Sequence, residues 1–184
     1  MPDAVIDACC LIDLMASGCA EEILRSIGFD WYLPQAVQDE IKYLRQHDPD
    51  NPGQTITVEA DLTPLISAGV LVPCGPENQA ELDRFTQYAV HFRSDGEAMC
   101  LALAESRGWI VATDDRKAIR IGQQAGQTVI SCPQLVKTWA DQTNPDESAL
   151  LNVLREIQIL AQFRPNPSMP EYQWWLDQLT KANP

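Results

Sequence analysis

Trp109-Ile110-Val111-Ala112-Thr113-Asp114-Asp115 is an apolar run that stops on a threonine and two acids. A short run of this kind, flanked by helical patterns, reads as a strand buried on both faces, as in a parallel sheet. Near the start of the chain, Ala4-Val5-Ile6 repeats the form and ends on Asp7. Trp31-Tyr32-Leu33, Val70-Leu71-Val72 and Thr128-Val129-Ile130 complete a set of five short strands. Helical stretches separate them: one through Leu11, Leu14 and Met15, then Ala20 to Ile27, Pro76 to Val90, Gly96 to Arg107, and Arg116 to Gln124. Strands alternating with helices predict βαβ units.

The expected fold class is therefore α/β, a three-layer α/β/α sandwich with a central, mainly parallel sheet over residues 1–142. Pro34 suits the first turn of a helix that carries Val37, Ile41 and Leu44 on one face, with Glu40 beside that face. His47 to Gln54 is dense in turn formers and reads as a mobile loop. A further helix through Leu62, Leu65 and Ile66 stops at Gly69. After a helix from Pro133 to Ala140, Asn144-Pro145-Asp146-Glu147 reads as a linker. The remainder, 146–184, is expected to be a helical extension, Ser148 to Phe163 and Glu171 to Leu179, packing through Trp174 and Trp175 on the domain before it.

Composition bounds the function. Thirteen Lys and Arg against 26 Asp and Glu give a net charge of -13. That balance argues against a surface that coats nucleic acid by charge neutralisation. It leaves room for an enzyme whose bound cations supply local positive charge. No stretch of about 18 apolar residues is present, so no membrane span is expected. The N-terminus lacks the pattern of a signal peptide. The six cysteines form no C-x-x-C pair, and Cys9 and Cys10 are adjacent. They read as buried small hydrophobes of a reduced, cytoplasmic protein.

In open α/β sheets, sites form outside the carboxyl ends of the strands. Asp7 and the Asp114-Asp115 pair occupy such ends, and Glu97 falls in the first turn of a helix that opens Ser94-Asp95-Gly96-Glu97, where the dipole favours a carboxylate. Singly, each acid also has a capping role open to it. Collectively, carboxylates gathered at one end of a sheet repel one another unless a cation compensates them. An oxygen-only set suits Mg²⁺, Mn²⁺ or Ca²⁺, and no His or Cys grouping along the sequence competes for zinc.

Val5-Ile6-Asp7-Ala8-Cys9-Cys10-Leu11-Ile12 resembles the opening strand and acid of the PIN-domain nucleases. Leu33-Pro34-Gln35-Ala36-Val37-Gln38-Asp39-Glu40-Ile41 is similar to their second motif. Glu97-Ala98-Met99-Cys100-Leu101-Ala102-Leu103-Ala104 is similar to the third, and Ile110-Val111-Ala112-Thr113-Asp114-Asp115-Arg116 to the fourth. The resemblance runs in order from Val5 to about Ala140. It implies a Mg²⁺- or Mn²⁺-dependent ribonuclease in which Asp7, Glu40, Glu97 and Asp115 hold the metal and carry catalysis. Asp114 is then a neighbour that assists the metal or faces solvent, and Thr113 and Arg116 orient the cluster or touch phosphate. It further implies an RNA substrate and, as in the VapC-type members, a toxin with a small antitoxin partner and a homodimer. Cys9 departs from the pattern, which places Ser, Thr or Asn there, and a thiol is a weaker hydrogen-bonding group. That departure motivates the rival reading, a non-catalytic regulatory or protein-interaction module with the same fold. A phosphate-accepting receiver domain is disfavoured by the missing acidic pair at Ile6-Asp7-Ala8 and the missing Lys at Ile130-Ser131-Cys132, and a two-aspartate phosphatase by the missing second acid in Asp7-Ala8-Cys9.

Overall fold

The computed structural model describes residues 1–181. Five strands, β1 (Asp3–Ile6), β2 (Asp30–Pro34), β5 (Leu71–Cys74), β6 (Ile110–Ala112) and β7 (Val129–Ile130), form one sheet. Its order is β5-β2-β1-β6-β7, and every pairing is parallel. The register sets Ala4 beside both Trp31 and Ile110, and Ile6 beside Ala112. Ala4, Val5, Ile6, Leu33, Val111 and Ala112 have no solvent exposure, which explains their uninterrupted apolar sequence.

Helices cover both faces, giving a three-layer α/β/α sandwich. On one face α6 (Asp95–Arg107) packs across β1, β2 and β6, flanked by α5 (Gln79–Ala89) and α7 (Arg116–Gln124). Small residues let it lie close to the sheet, and every residue from Ala98 to Ala104 is buried. On the other face α1 (Ala8–Ala16), α2 (Ala20–Ile27) and α8 (Cys132–Thr143) pack together. The chain leaves β1 toward β2 and re-enters on β1's other side at β6. The carboxyl ends of β1 and β6 therefore flank the point where strand order reverses, the place where such sheets bind ligands.

One segment differs from the sequence expectation. The helix after Pro34, α3, spans only Gln35–Glu40. Leu44, expected on its face, lies instead in β3 (Tyr43–His47), which pairs antiparallel with β4 (Thr55–Glu59). Thr55-Ile56-Thr57-Val58 is rich in β-branched residues and supplies the partner ladder. The loop is confined to 48–54 and closed by the Asp48 amide donating to the Gln54 carbonyl at 3.0 Å. The remaining helix, α4, is a single short turn of Thr63–Ser67.

The C-terminal segment begins with α9 (Glu147–Glu156), capped by Asp146, and continues as a π turn over Ile157–Ala161 that ends at Gln162 with φ 57°. α10 (Tyr172–Lys181) follows. Trp175 is fully buried with its ring edge-on to Phe163 at 6.2 Å, and α10 packs on α9. Residues 182–184 of the extension lie outside the described residues. Among the described residues, no helix is long and apolar enough to cross a membrane.

Away from the strand ends, Arg107 at the end of α6 makes a two-pronged pair with Glu81 on α5, at 2.7 Å and 2.9 Å. Its second nitrogen also donates to the Gly75 carbonyl, and its plane lies 4.7 Å from the Trp109 ring centre. Glu81 is only 4% exposed. Removing the guanidinium leaves that carboxylate buried without a counter-charge, so Arg107→Ala is expected to destabilise the protein by about 3 kcal/mol. Urea unfolding measures this, and an effect under about 1 kcal/mol contradicts it, being the size of a surface pair.

Candidate functional site

Asp7 is carried directly off the end of β1. Its amide donates to the Ala112 carbonyl at 2.9 Å, continuing the β1–β6 ladder by one bond and fixing the acid at the sheet's carboxyl edge. Its side chain is 2% exposed and fully engaged. Oδ1 accepts from the Ala8 amide at 2.7 Å, capping α1. Oδ2 accepts from Thr113 Oγ1 at 2.8 Å and from the Cys9 thiol at 3.1 Å. Cys9 thus makes the contact to the first acid for which Ser, Thr or Asn was expected. Its sulfur also accepts from the Asp114 amide at 3.3 Å, tying the two strand ends together.

Glu40 arrives from the last residue of α3. Its Oε1 accepts from the Gly96 amide at 2.7 Å, at the N-terminal turn of α6. Glycine at 96 permits this approach, because a Cβ there would lie 2.6 Å from Glu40 Oε2 and 2.9 Å from Cδ. Glu97 is the next residue, and its Oε2 accepts from the Ser94 hydroxyl. Asp7, Glu40 and Glu97 each offer one carboxylate oxygen, and the three oxygens lie within 4.8 Å of one another. Three elements distant in sequence therefore deliver three acids to one spot.

The electrostatics follow from that convergence. Burial, opposed by the hydrogen bonds from Cys9 and Thr113 and reinforced by the charge of Glu97, pushes the Asp7 carboxyl up to about 6. Glu40 is also raised, first by desolvation and then by Glu97, against the lowering effect of the Gly96 amide. Neither direction suits an isolated carboxylate, and both are reversed by a nearby cation.

Asp115 stands outside the group of three. It is the N-cap of α7, its side chain accepting from the Ala118 amide at 2.7 Å. Its own amide donates to Thr113 Oγ1 at 3.2 Å, so one hydroxyl links it to Asp7. Asp114, read from sequence as assisting the metal or facing solvent, turns the other way. Both its oxygens accept from the Cys132 amide at 3.1 Å, at the start of α8. Desolvation, together with the charge of Asp7, pushes it up to about 7. Arg116, Lys117 and Arg120 follow on α7, and Arg116 and Arg120 line a groove with Ser131 and Asn166.

A further acid carried no sequence signal of a role. Asp13 sits within α1 between Ile12 and Leu14 and is 5% exposed, and its Oδ2 has no hydrogen-bond partner. Burial, with the charge of Asp114, pushes it up to about 9. Because the folded-state value lies above the ordinary one, the folded protein holds this proton more tightly than the unfolded chain. The associated stability is complete below about pH 4 and is lost as pH rises through about 9. With a chelator present to keep cations away, Asp13→Asn is expected to match the wild type near about pH 4. Near about pH 8 it is expected to exceed it by several kcal/mol, at roughly 1.4 kcal/mol for each pH unit above about 4. Chemical denaturation at the two pH values reads the difference, and parallel pH profiles contradict it.

Fold and site together define a three-layer α/β/α protein with a carboxylate cluster at the point where its strand order reverses. Compared with protein-family models, curated proteins and solved structures, the chain matches none.

Proposed function

We propose that this chain is a divalent-cation-dependent endoribonuclease of the PIN type, with Mg²⁺ or Mn²⁺ as its cofactor and RNA as its substrate. The observation that carries this reading is the convergence of Asp7, Glu40 and Glu97 from β1, α3 and α6. An all-oxygen donor set of three acids, one of them buried and pushed up in pKa by its surroundings, suits a hard divalent ion. Asp7, Glu40 and Glu97 would hold it, with Asp115 across the Thr113 hydroxyl as the fourth acid. When bound, the ion supplies Lewis acidity toward a phosphodiester and an acidified water.

The protein's own contribution is positional. Thr113, Cys9 and the Ala8 amide fix both oxygens of Asp7, so this acid needs no rearrangement before it acts. The Gly96 amide holds one oxygen of Glu40, and Ser94 orients Glu97. Glu97 and Glu40 are both half-buried at the rim and within reach of a water as proton acceptors. Arg116, Lys117 and Arg120, clustered on the first turns of α7, offer phosphate contacts in a chain of net charge -13. The Cys9 contacts favour this catalytic reading over a non-catalytic module, since the thiol engages the first acid instead of leaving it unsupported. The narrower reading as a toxin with a small antitoxin, working as a homodimer, rests on the resemblance of the four motifs.

The test is cleavage of a mixed-sequence single-stranded RNA by the full chain. Fragments are expected with Mg²⁺ or Mn²⁺ and absent with chelator. Cleavage that survives the chelator, or no cleavage with either ion on single-stranded and hairpin RNA, contradicts the reading.

A further inference from the structure

A second cluster of ligating side chains lies behind the acidic site and shares no residue with it. Cys10 on α1, Asp114 after β6 and Cys132 at the first position of α8 each offer one atom, and these atoms lie within 4.8 Å of one another. Both sulfurs belong to residues with no solvent exposure, whereas Asp114 is partly exposed. All six cysteines are free thiols, so the pair is not consumed in a disulfide.

Asp13 supplies an independent sign that this cluster is built to take a ligand. It lies one helical turn beyond Cys10 on α1, at the i, i+3 spacing that puts two side chains on one face. The charge of Asp114 raises Asp13, and an ionised Asp13 would in turn raise Cys10 and Cys132. It is 95% buried, and its Oδ2 has no hydrogen-bond partner. Among the described residues, no Lys, Arg or His forms an ion pair with Asp13 or Asp114. Two buried thiols and the Asp114 carboxyl thus converge in the interior, one helical turn along α1 from a buried carboxyl with an unsatisfied oxygen, and a bound cation would compensate the whole set.

We propose that Cys10, Cys132, Asp114 and Asp13 form a structural Zn²⁺ site. Two sulfurs and two carboxylate oxygens are a ligand set that zinc takes in tetrahedral geometry, and the sulfurs discriminate against Mg²⁺ and Mn²⁺. Binding converts both thiols to thiolates and releases their protons, with any carboxyl proton, to solvent. The site staples α1, the end of β6 and the start of α8 together. Asp114 lies between Thr113 and Asp115, and its amide donates to Cys9, so zinc would fix the backbone on which the neighbouring acidic site is built.

The experiment uses the full chain, reduced and stripped of metal, titrated with Co²⁺ as a coloured substitute for zinc. Wild-type protein is expected to take up cobalt with a sulfur-to-metal charge-transfer band, saturating at one equivalent of that band and discharged by Zn²⁺. Cys10→Ser and Cys132→Ser are expected to lose the band and to weaken Zn²⁺ binding by at least about 100-fold. Cys9→Ser and Cys74→Ser are expected to keep it, separating the site from the thiol beside Asp7. Asp7→Asn is also expected to keep it, so loss of the ribonuclease reading leaves this one standing. No charge-transfer band in the wild type overturns the proposal without depending on any variant's folding. So does a band that persists in Cys132→Ser, or a Cys10–Cys132 disulfide in the protein as isolated.

Discussion

Asp7→Asn is expected to slow Mn²⁺-dependent RNA cleavage by at least about 10³-fold while leaving the fold intact. Asparagine preserves the shape of the side chain and one acceptor oxygen, so the Ala8 amide or the Thr113 hydroxyl keeps a partner. What disappears is the charge. That charge is held in a buried position where the carboxyl is pushed up to about 6, so its ionised form is costly to the metal-free protein. The variant is therefore expected to be at least as stable as the wild type at neutral pH with chelator present. Cleavage rates and thermal unfolding together check this. Loss of activity accompanied by loss of structure would instead assign Asp7 to capping of α1, and unchanged cleavage would remove it from the chemistry.

Gly96→Ala is expected to separate positioning from stability in the same way. The added methyl would lie 2.6 Å from Glu40 Oε2 and 2.9 Å from Oε1. Those atoms end a flexible side chain, so Glu40 swings aside and its bond to the Gly96 amide is lost. Alanine also suits a helix better than glycine, by about 1 kcal/mol. The expected result is a protein of equal or greater stability whose cleavage rate falls by roughly 10²-fold, the scale of misplacing a catalytic group by about an ångström. Glu40→Gln measured alongside it should fall by a similar factor. Activity near the wild-type level in Gly96→Ala would show that the position of Glu40 does not matter.

The sheet and its acids were legible because the governing signals are local. Strands buried on both faces read as apolar runs, and Ala4-Val5-Ile6 and Ile110-Val111-Ala112 end where water and polar chemistry begin. Glu97 was legible through its place in a helix's first turn. Glu40 was visible only through the resemblance of its motif, because the contact that positions it is with Gly96, 56 residues away. Gly96 itself carried a signal that went unread: a glycine in the first turn of α6, between two acids, costs helix stability and calls for a close neighbour. The β3–β4 hairpin escaped although Thr55-Ile56-Thr57-Val58-Glu59 alternates polar and apolar residues, because its partner Tyr43–His47 shows no such alternation and both strands lie largely exposed. Ile41 and Leu44 fitted a helical period equally well. By sequence Cys10 and Cys132 read as buried hydrophobes, and buried they are. Their meeting with Asp114 depends on how α1 and α8 pack, a relation between residues more than a hundred positions apart.

Everything proposed for the acidic site requires that Asp7, Glu40 and Glu97 jointly hold a divalent cation. Equilibrium Mn²⁺ binding, followed through the electron paramagnetic resonance signal of the free ion, tests it most directly on the full chain at neutral pH. Binding to the wild type is expected to weaken as pH falls through about 6, where a proton reclaims Asp7. It is expected to drop by at least about 10-fold in each of Asp7→Asn, Glu40→Gln and Glu97→Gln. Mn²⁺ affinity that is the same in the wild type and in all three variants would contradict the account.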